Sequence, residues 1–163
     1  MPENKRVSRL RLGSRSGPQI LGSQFGIEQR EPFSGERDFF DANRNIAGMA
    51  TSDDRVILNP FFGGSPEESQ SVLLNERGRV FMRTRNLRPT FSLSKGQQKF
   101  FGNIEGPKET ALQDQRETIA ARILAGDPSA GDSTPEQIQF SERLREAMQQ
   151  FDRNRFRLKG KTQ

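Results

Sequence analysis

The chain has 163 residues, 31% of them hydrophobic, a mean hydropathy of −0.85 and a net charge of +5, and it contains no Cys, His, Trp or Tyr. Without thiols and imidazoles, disulfides, Cys- or His-ligated metals and Ser-His-Asp or Cys-His catalysis are excluded. The low apolar content is poor for one compact core of this size, so part of the chain is expected to be extended or ordered only by contact.

Charge is uneven along the chain. Residues 1–16 carry Lys5, Arg6, Arg9, Arg11 and Arg15 against Glu3, and residues 143–163 carry seven Lys/Arg against Glu146 and Asp152. The ends are therefore basic and the middle mildly acidic, a distribution that suits contact with acidic protein surfaces or nucleic acid. No apolar run approaches the roughly 20 residues of a membrane span, and the basic start lacks the apolar region of a signal peptide. A soluble protein with no membrane contact is expected.

From Met1 to about Ser52 periodicity is weak and apolar residues are isolated: Ile20, Leu21, Phe25, Ile27, Phe33, Phe39, Phe40, Ile46 and Met49. This stretch reads as an extended or disordered basic arm, with a short turn of helix near Asp38–Arg44. Asp53–Leu58 reads as a short strand or extended lead-in, and Asn59-Pro60 with Gly63-Gly64 as a turn.

Ser65 as N-cap, Pro66 at the first helical position and Glu67-Glu68 at the positive end of the dipole predict a helix over about Pro66–Arg83. Val72, Leu73, Leu74, Gly78, Val80, Phe81 and Met82 spread over most of its circumference, leaving a narrow strip of Asn75, Glu76, Arg79 and Arg83. So wide an apolar surface needs cover on more than one side, from the chain itself or from another subunit. Leu73, Leu74, Val80 and Phe81 are accordingly candidate partner-binding residues.

Leu87-Arg88-Pro89-Thr90-Phe91 must leave helical geometry, since the residue before a proline is pushed toward extended conformations. Ser94 then caps a short helix over Lys95–Phe101. Arg77, Arg79, Arg83, Arg85, Arg88, Lys95 and Lys99 fall here with no acid after Glu76 until Glu105, and form a candidate anion or nucleic-acid contact. Gly106-Pro107-Lys108-Glu109 opens a third helix to about Ala125, with Leu112, Ile119 and Ile123 on one face and Gly126-Asp127-Pro128 closing it. Thr134-Pro135-Glu136-Gln137 starts the last helix, to about Arg153. Phe140, Leu144, Ala147 and Phe151, flanked by Met148, make a heptad-like seam suited to docking on a partner helix. Residues 154–163 read as a basic tail. The fold class expected is mainly α: about four helices over 53–153, with an extended N-terminal arm and a basic C-terminal tail.

Catalytic motifs are absent. Gly160-Lys161-Thr162 resembles the end of a Walker A loop, but Arg155 stands where its first glycine belongs and the chain ends before a helix can follow. The groupings Asp53-Asp54, Glu67-Glu68 and Asp38 with Asp41 would have to converge in a pocket to hold Mg²⁺ or act as acid and base. No catalytic residue, cofactor or metal site is expected, and the chain does not read as an enzyme.

Several stretches resemble a family of small proteins of short-tailed bacteriophages. They are Val56-Ile57-Leu58-Asn59-Pro60, Asn75-Glu76 followed by Val80-Phe81-Met82-Arg83, the Arg88-Pro89-Thr90-Phe91 link, the run Glu117–Ala130, and Thr134-Pro135-Glu136-Gln137. The resemblance spans roughly Val56 to Leu144. Gly78 and Gly96 depart from it, standing where better helix formers would be expected. It implies a virion structural protein, an adaptor or fastener in the tail or head-tail region, docking by helices and extended arms. The partners implied are portal, adaptor, tail or capsid proteins, with several symmetric copies and packaged DNA within reach of the basic arms. The protein would sit in the virion, and in the host cytoplasm during assembly. The alternative is a phage nucleic-acid-binding accessory protein using Arg77–Lys99 and the basic termini.

Overall fold

The computed structural model describes residues 20–101, 108–127 and 132–160; the N-terminal basic residues 1–19, Gly106-Pro107 and the last three residues lie outside them. Among the described residues the chain forms four strands and five helices. These are β1 (Ile20–Gln24), β2 (Ile27–Arg30), α1 (Ser34–Ala42), β3 (Gly48–Ala50), β4 (Val56–Leu58), α2 (Pro66–Thr84), α3 (Lys95–Phe101), α4 (Lys108–Leu124) and α5 (Pro135–Lys159).

Residues 20–50, expected to be an extended arm, instead build most of a sheet of order β1-β2-β4-β3, so the fold is mixed α/β rather than mainly α. β1 and β2 are an antiparallel hairpin closed by Gln24 opposite Ile27, and β3 pairs antiparallel with β4. A parallel contact of Gln29 with Val56 joins the halves. The two hairpin residues, Phe25 (φ 57°) and Gly26 (φ 73°), both lie in the left-handed region that a tight hairpin turn requires. Phe is a costly residue there. Its position is fixed from outside: the Phe25 N–H donates to Asp152 Oδ1 of α5 at 3.0 Å, and the Phe151 ring lies against Gly26 so closely that a Cβ would sit 2.6 Å from it.

The strands and α1 are tied together by two buried polar side chains. Arg30, 2% exposed, forks onto Glu36 of α1 at 2.7 and 2.8 Å, reaches Asp53 through Nε at 3.3 Å and donates to the Glu31 carbonyl at 3.0 Å. Hydrogen bonding to Glu36 raises the guanidinium pKa, against the opposing effect of burial. Asn59, also buried, donates through Nδ2 to the carbonyls of Ile46, Asn43 and Phe40, and its Oδ1 accepts from Phe61 N–H at 2.8 Å. This ties the C-terminal end of α1 and the turn after it to the end of β4, beside the main-chain bonds from Asn43 and Ile46 that the Phe40 and Asn43 carbonyls accept.

α2 starts as its sequence requires. Ser65 Oγ accepts from Glu68 N–H at 3.2 Å while the Glu68 carboxylate accepts from Ser65 N–H at 2.6 Å. The helix lies between the sheet on one side and α4 and α5 on others, which buries Leu73, Glu76, Arg77, Gly78, Val80, Phe81 and Met82. Its wide apolar surface is thus covered by the chain itself. At Gly78, α2 passes close to α4: a Cβ would stand 2.7 Å from Leu124 Cδ2. The glycine that looked unsuited to a helix is what permits the crossing.

α3 and α5 are clasped at their starts. Gln97 and Gln137 each close a capping box, with Ser94 and Thr134 respectively, and their buried side-chain amides then pair reciprocally at 2.7 and 2.8 Å. Gln137 Nε2 also donates to the Ser92 carbonyl at 2.9 Å. α4 is held to α5 by Ser141 Oγ donating to the Ala120 carbonyl and by Arg145 donating to the Leu124 carbonyl at the C-terminal end of α4. α5 runs six residues beyond the expected Arg153.

Candidate functional site

The expected partner-binding residues are mostly interior. Leu73, Val80, Phe81 and Leu144 are 5% exposed or less, and Leu74, Phe140 and Phe151 pack partly buried against the same core. Phe151 meets Phe81 edge-on at 6.2 Å, and Phe140 meets Phe91 at 5.8 Å. The seam Phe140–Phe151 therefore docks on α4, α2 and the 85–94 segment of its own chain, and is not an open surface for another protein. The heptad-like spacing does mark a docking face, and the partner is internal.

The seam continues past the core. Beyond Phe151, the same helical spacing reaches Asn154 and Leu158. Arg155 Nη1 donates to Ser23 Oγ of β1 at 3.1 Å, so this end of α5 stands beside the hairpin. Phe151, Asn154, Arg155, Leu158 and Lys159 line a largely apolar cleft of about 380 Å³. Phe156 is 72% exposed and Leu158 69%, the two most exposed large apolar side chains among the described residues; Ile20 and Leu21 of β1 are about half exposed. Arg153, Arg155, Arg157 and Lys159 share these last turns with Asp152 as the lone acid. The sequence read residues 154–163 only as a basic tail. Extending the 140, 144, 147, 151 spacing by one more repeat would have found Leu158.

The basic stretch Arg77–Lys99 does not form one patch. Arg77 is buried, donating from Nη1 to Gln24 Oε1 at 2.9 Å; desolvation pulls its pKa down, against the opposing pull of Asp152. Arg85 lies over the Phe151 ring at 4.4 Å and the Phe81 ring at 5.7 Å. Arg79 pairs with Glu76 at 3.8 Å. Lys95 and Lys99 project from α3. Arg83 and Arg88 do meet, at a cavity they share with Arg116 of α4, a residue the sequence did not single out.

Glu76 is a buried acid of α2. Its carboxylate accepts from Ala50 N–H of β3 at 2.9 Å and so occupies a main-chain donor on the open edge of the sheet. Burial raises its pKa, with Arg79, Arg83 and Arg122 acting in the opposite direction. Asp53 is shifted the other way: burial alone would raise it, but the Thr51 hydroxyl and Arg30 hold it below the ordinary carboxylate value. Both carboxylates are engaged in holding the sheet. Among the described residues no group of three or more acidic side chains is placed to hold a metal, and no helix is long and apolar enough to cross a membrane.

Comparison with protein-family models, with curated proteins and with solved structures finds no match to this chain.

Proposed function

We propose that this protein is a structural fastener of a bacteriophage particle, an adaptor in the tail or head-tail region that docks through the exposed end of α5. The observation that carries the docking role is the projecting turn in which Phe156 and Leu158 stand exposed among Arg153, Arg155, Arg157 and Lys159. An exposed pair of large apolar side chains in a basic setting favours a partner surface with an apolar pocket and acidic rim. The phage setting is supported by the resemblance over Val56–Leu144. The core seam no longer contributes to docking, because its side chains are already covered.

The engagement of Arg77 with Gln24 and of Arg85 with the Phe151 ring, apart from Lys95 and Lys99 on α3, disfavours the stretch Arg77–Lys99 as one continuous nucleic-acid patch. Replacing Phe156 and Leu158 together with Ser tests the fastener reading. Stability is expected to stay within about 0.5 kcal/mol, since both are exposed, while incorporation into particles, followed by mass spectrometry, is lost. Normal incorporation of the double variant would remove the docking role. A steep loss of duplex or single-strand affinity with salt would favour the nucleic-acid alternative instead.

A further inference from the structure

A cavity of about 720 Å³ lies between the C-terminal end of α2, the turn after it and α4. Met82 and Leu112 contribute apolar lining, and Arg83, Arg88 and Arg116 contribute three guanidinium groups. Two of these are held by their Nε atoms. Arg116 Nε donates to the Phe91 carbonyl at 2.8 Å, and Arg88 Nε donates to Asn86 Oδ1 at 3.1 Å. Asn86 is itself fixed, in the left-handed conformation (φ 53°) that ends α2, with the following Leu87 N–H bonded to the Met82 carbonyl.

An arginine tethered through Nε keeps its paired Nη donors for something else and has already lost much of its rotamer freedom. The Arg83 guanidinium makes no hydrogen bond or ion pair to any described side chain, and its charge acts on Glu76 only at a distance. Asp114 and Glu117 also line the cavity, yet no ion pair joins either of them to these three arginines; Glu117 accepts instead from Gln113 Nε2 at 3.1 Å. The Nη donors are thus not hydrogen-bonded to the carboxylates beside them, although those charges offset part of theirs.

We propose that this cavity binds a single oxyanion group, the terminal phosphate of a small molecule or the carboxylate of an acidic side chain, on the forks of Arg83, Arg88 and Arg116. A tetrahedral or planar oxyanion matches paired Nη donors, and charge-assisted bonds of this kind are short and strong. The two lining carboxylates set the limit to one group. Three cations against two anions leave an excess of one positive charge, so a polyphosphate or a nucleic-acid strand would place its further charges against Asp114 and Glu117. The site stands apart from the exposed end of α5 and does not depend on the fastener role.

The test is a titration of the intact 163-residue chain with inorganic phosphate and, separately, with acetate, each matched in ionic strength by sodium chloride, reading the ¹⁵N–¹H signals of the arginine Nε groups. Saturable shifts of Arg88 and Arg116, with a midpoint on the order of millimolar for so small a ligand, are expected. Saturation by phosphate alone would identify a phosphorylated ligand, and saturation by acetate a carboxylate. Arg83→Gln is expected to weaken the midpoint about tenfold or more, as removal of one charge-assisted partner should. That side chain bonds to no described residue, so the variant keeps the test valid even if Arg116→Lys, which loses the tether to Phe91, fails to fold. Linear shifts equal to those in chloride, or a midpoint unchanged in Arg83→Gln, would overturn the proposal.

Discussion

Gly78→Ala offers a sharp test of how α2 is buried. In an exposed helix the change would stabilise by about 1 kcal/mol, because alanine loses less backbone entropy. Here the new methyl would lie 2.7 Å from Leu124 Cδ2, and Leu124 is 2% exposed within the α2–α4 contact. Van der Waals separation between carbons is about 3.5–4.0 Å, so one partner must move by roughly 1 Å in a packed interior, at a cost of about 1–3 kcal/mol. The net expectation is a destabilisation on the order of 1 kcal/mol, against the helix-propensity trend. Leu124→Ala alone should cost about 2–5 kcal/mol. In that background the overlap is gone and the methyl added at position 78 fills part of the vacated space, so Gly78→Ala should turn stabilising by about 1 kcal/mol. Urea unfolding of the four proteins completes the cycle. An identical effect of Gly78→Ala in both backgrounds would refute the close crossing of α2 and α4.

Two further outcomes follow from the buried polar groups. Because the folded-state pKa of Glu76 is raised, the native state holds its proton to higher pH than the unfolded chain does. Its contribution to stability is therefore fully present below the unfolded value near 4.3 and declines as pH rises through the folded value. The stability difference between the natural chain and Glu76→Gln, taken from urea curves between about pH 4 and 7, should fall as pH rises; a difference that grew would contradict the burial of that carboxylate. Gln97→Leu should destabilise by about 1–3 kcal/mol, since it removes one hydrogen-bond partner from each end of the buried Gln137 amide, which keeps Ser92 and Thr134, and also the acceptor of Ser94 N–H. Adding Gln137→Leu should cost less than the sum of the single changes, and strict additivity would argue against the reciprocal pair.

What is local could be read from the order of residues alone. Ser65-Pro66, Ser94 and Thr134-Pro135 placed the starts of α2, α3 and α5 because a cap needs only a side chain within three residues of the amide it serves. Asp53–Leu58 read as a short strand or an extended lead-in, and its last three residues form β4. The remainder came from contacts between distant parts of the chain. Ile20–Arg30 shows no strong alternation, and Phe25-Gly26 is an unusual hairpin turn; the contacts that hold it, Asp152 and Phe151, lie more than 120 residues away in the chain. Arg30 looks like any surface arginine until Glu36 and Asp53 converge on it. The apolar circumference of α2 was evident from periodicity, but whether another chain or this one would cover it depended on where the sheet, α4 and α5 came to rest. Periodicity states that a face is to be buried, and only the packing states by what.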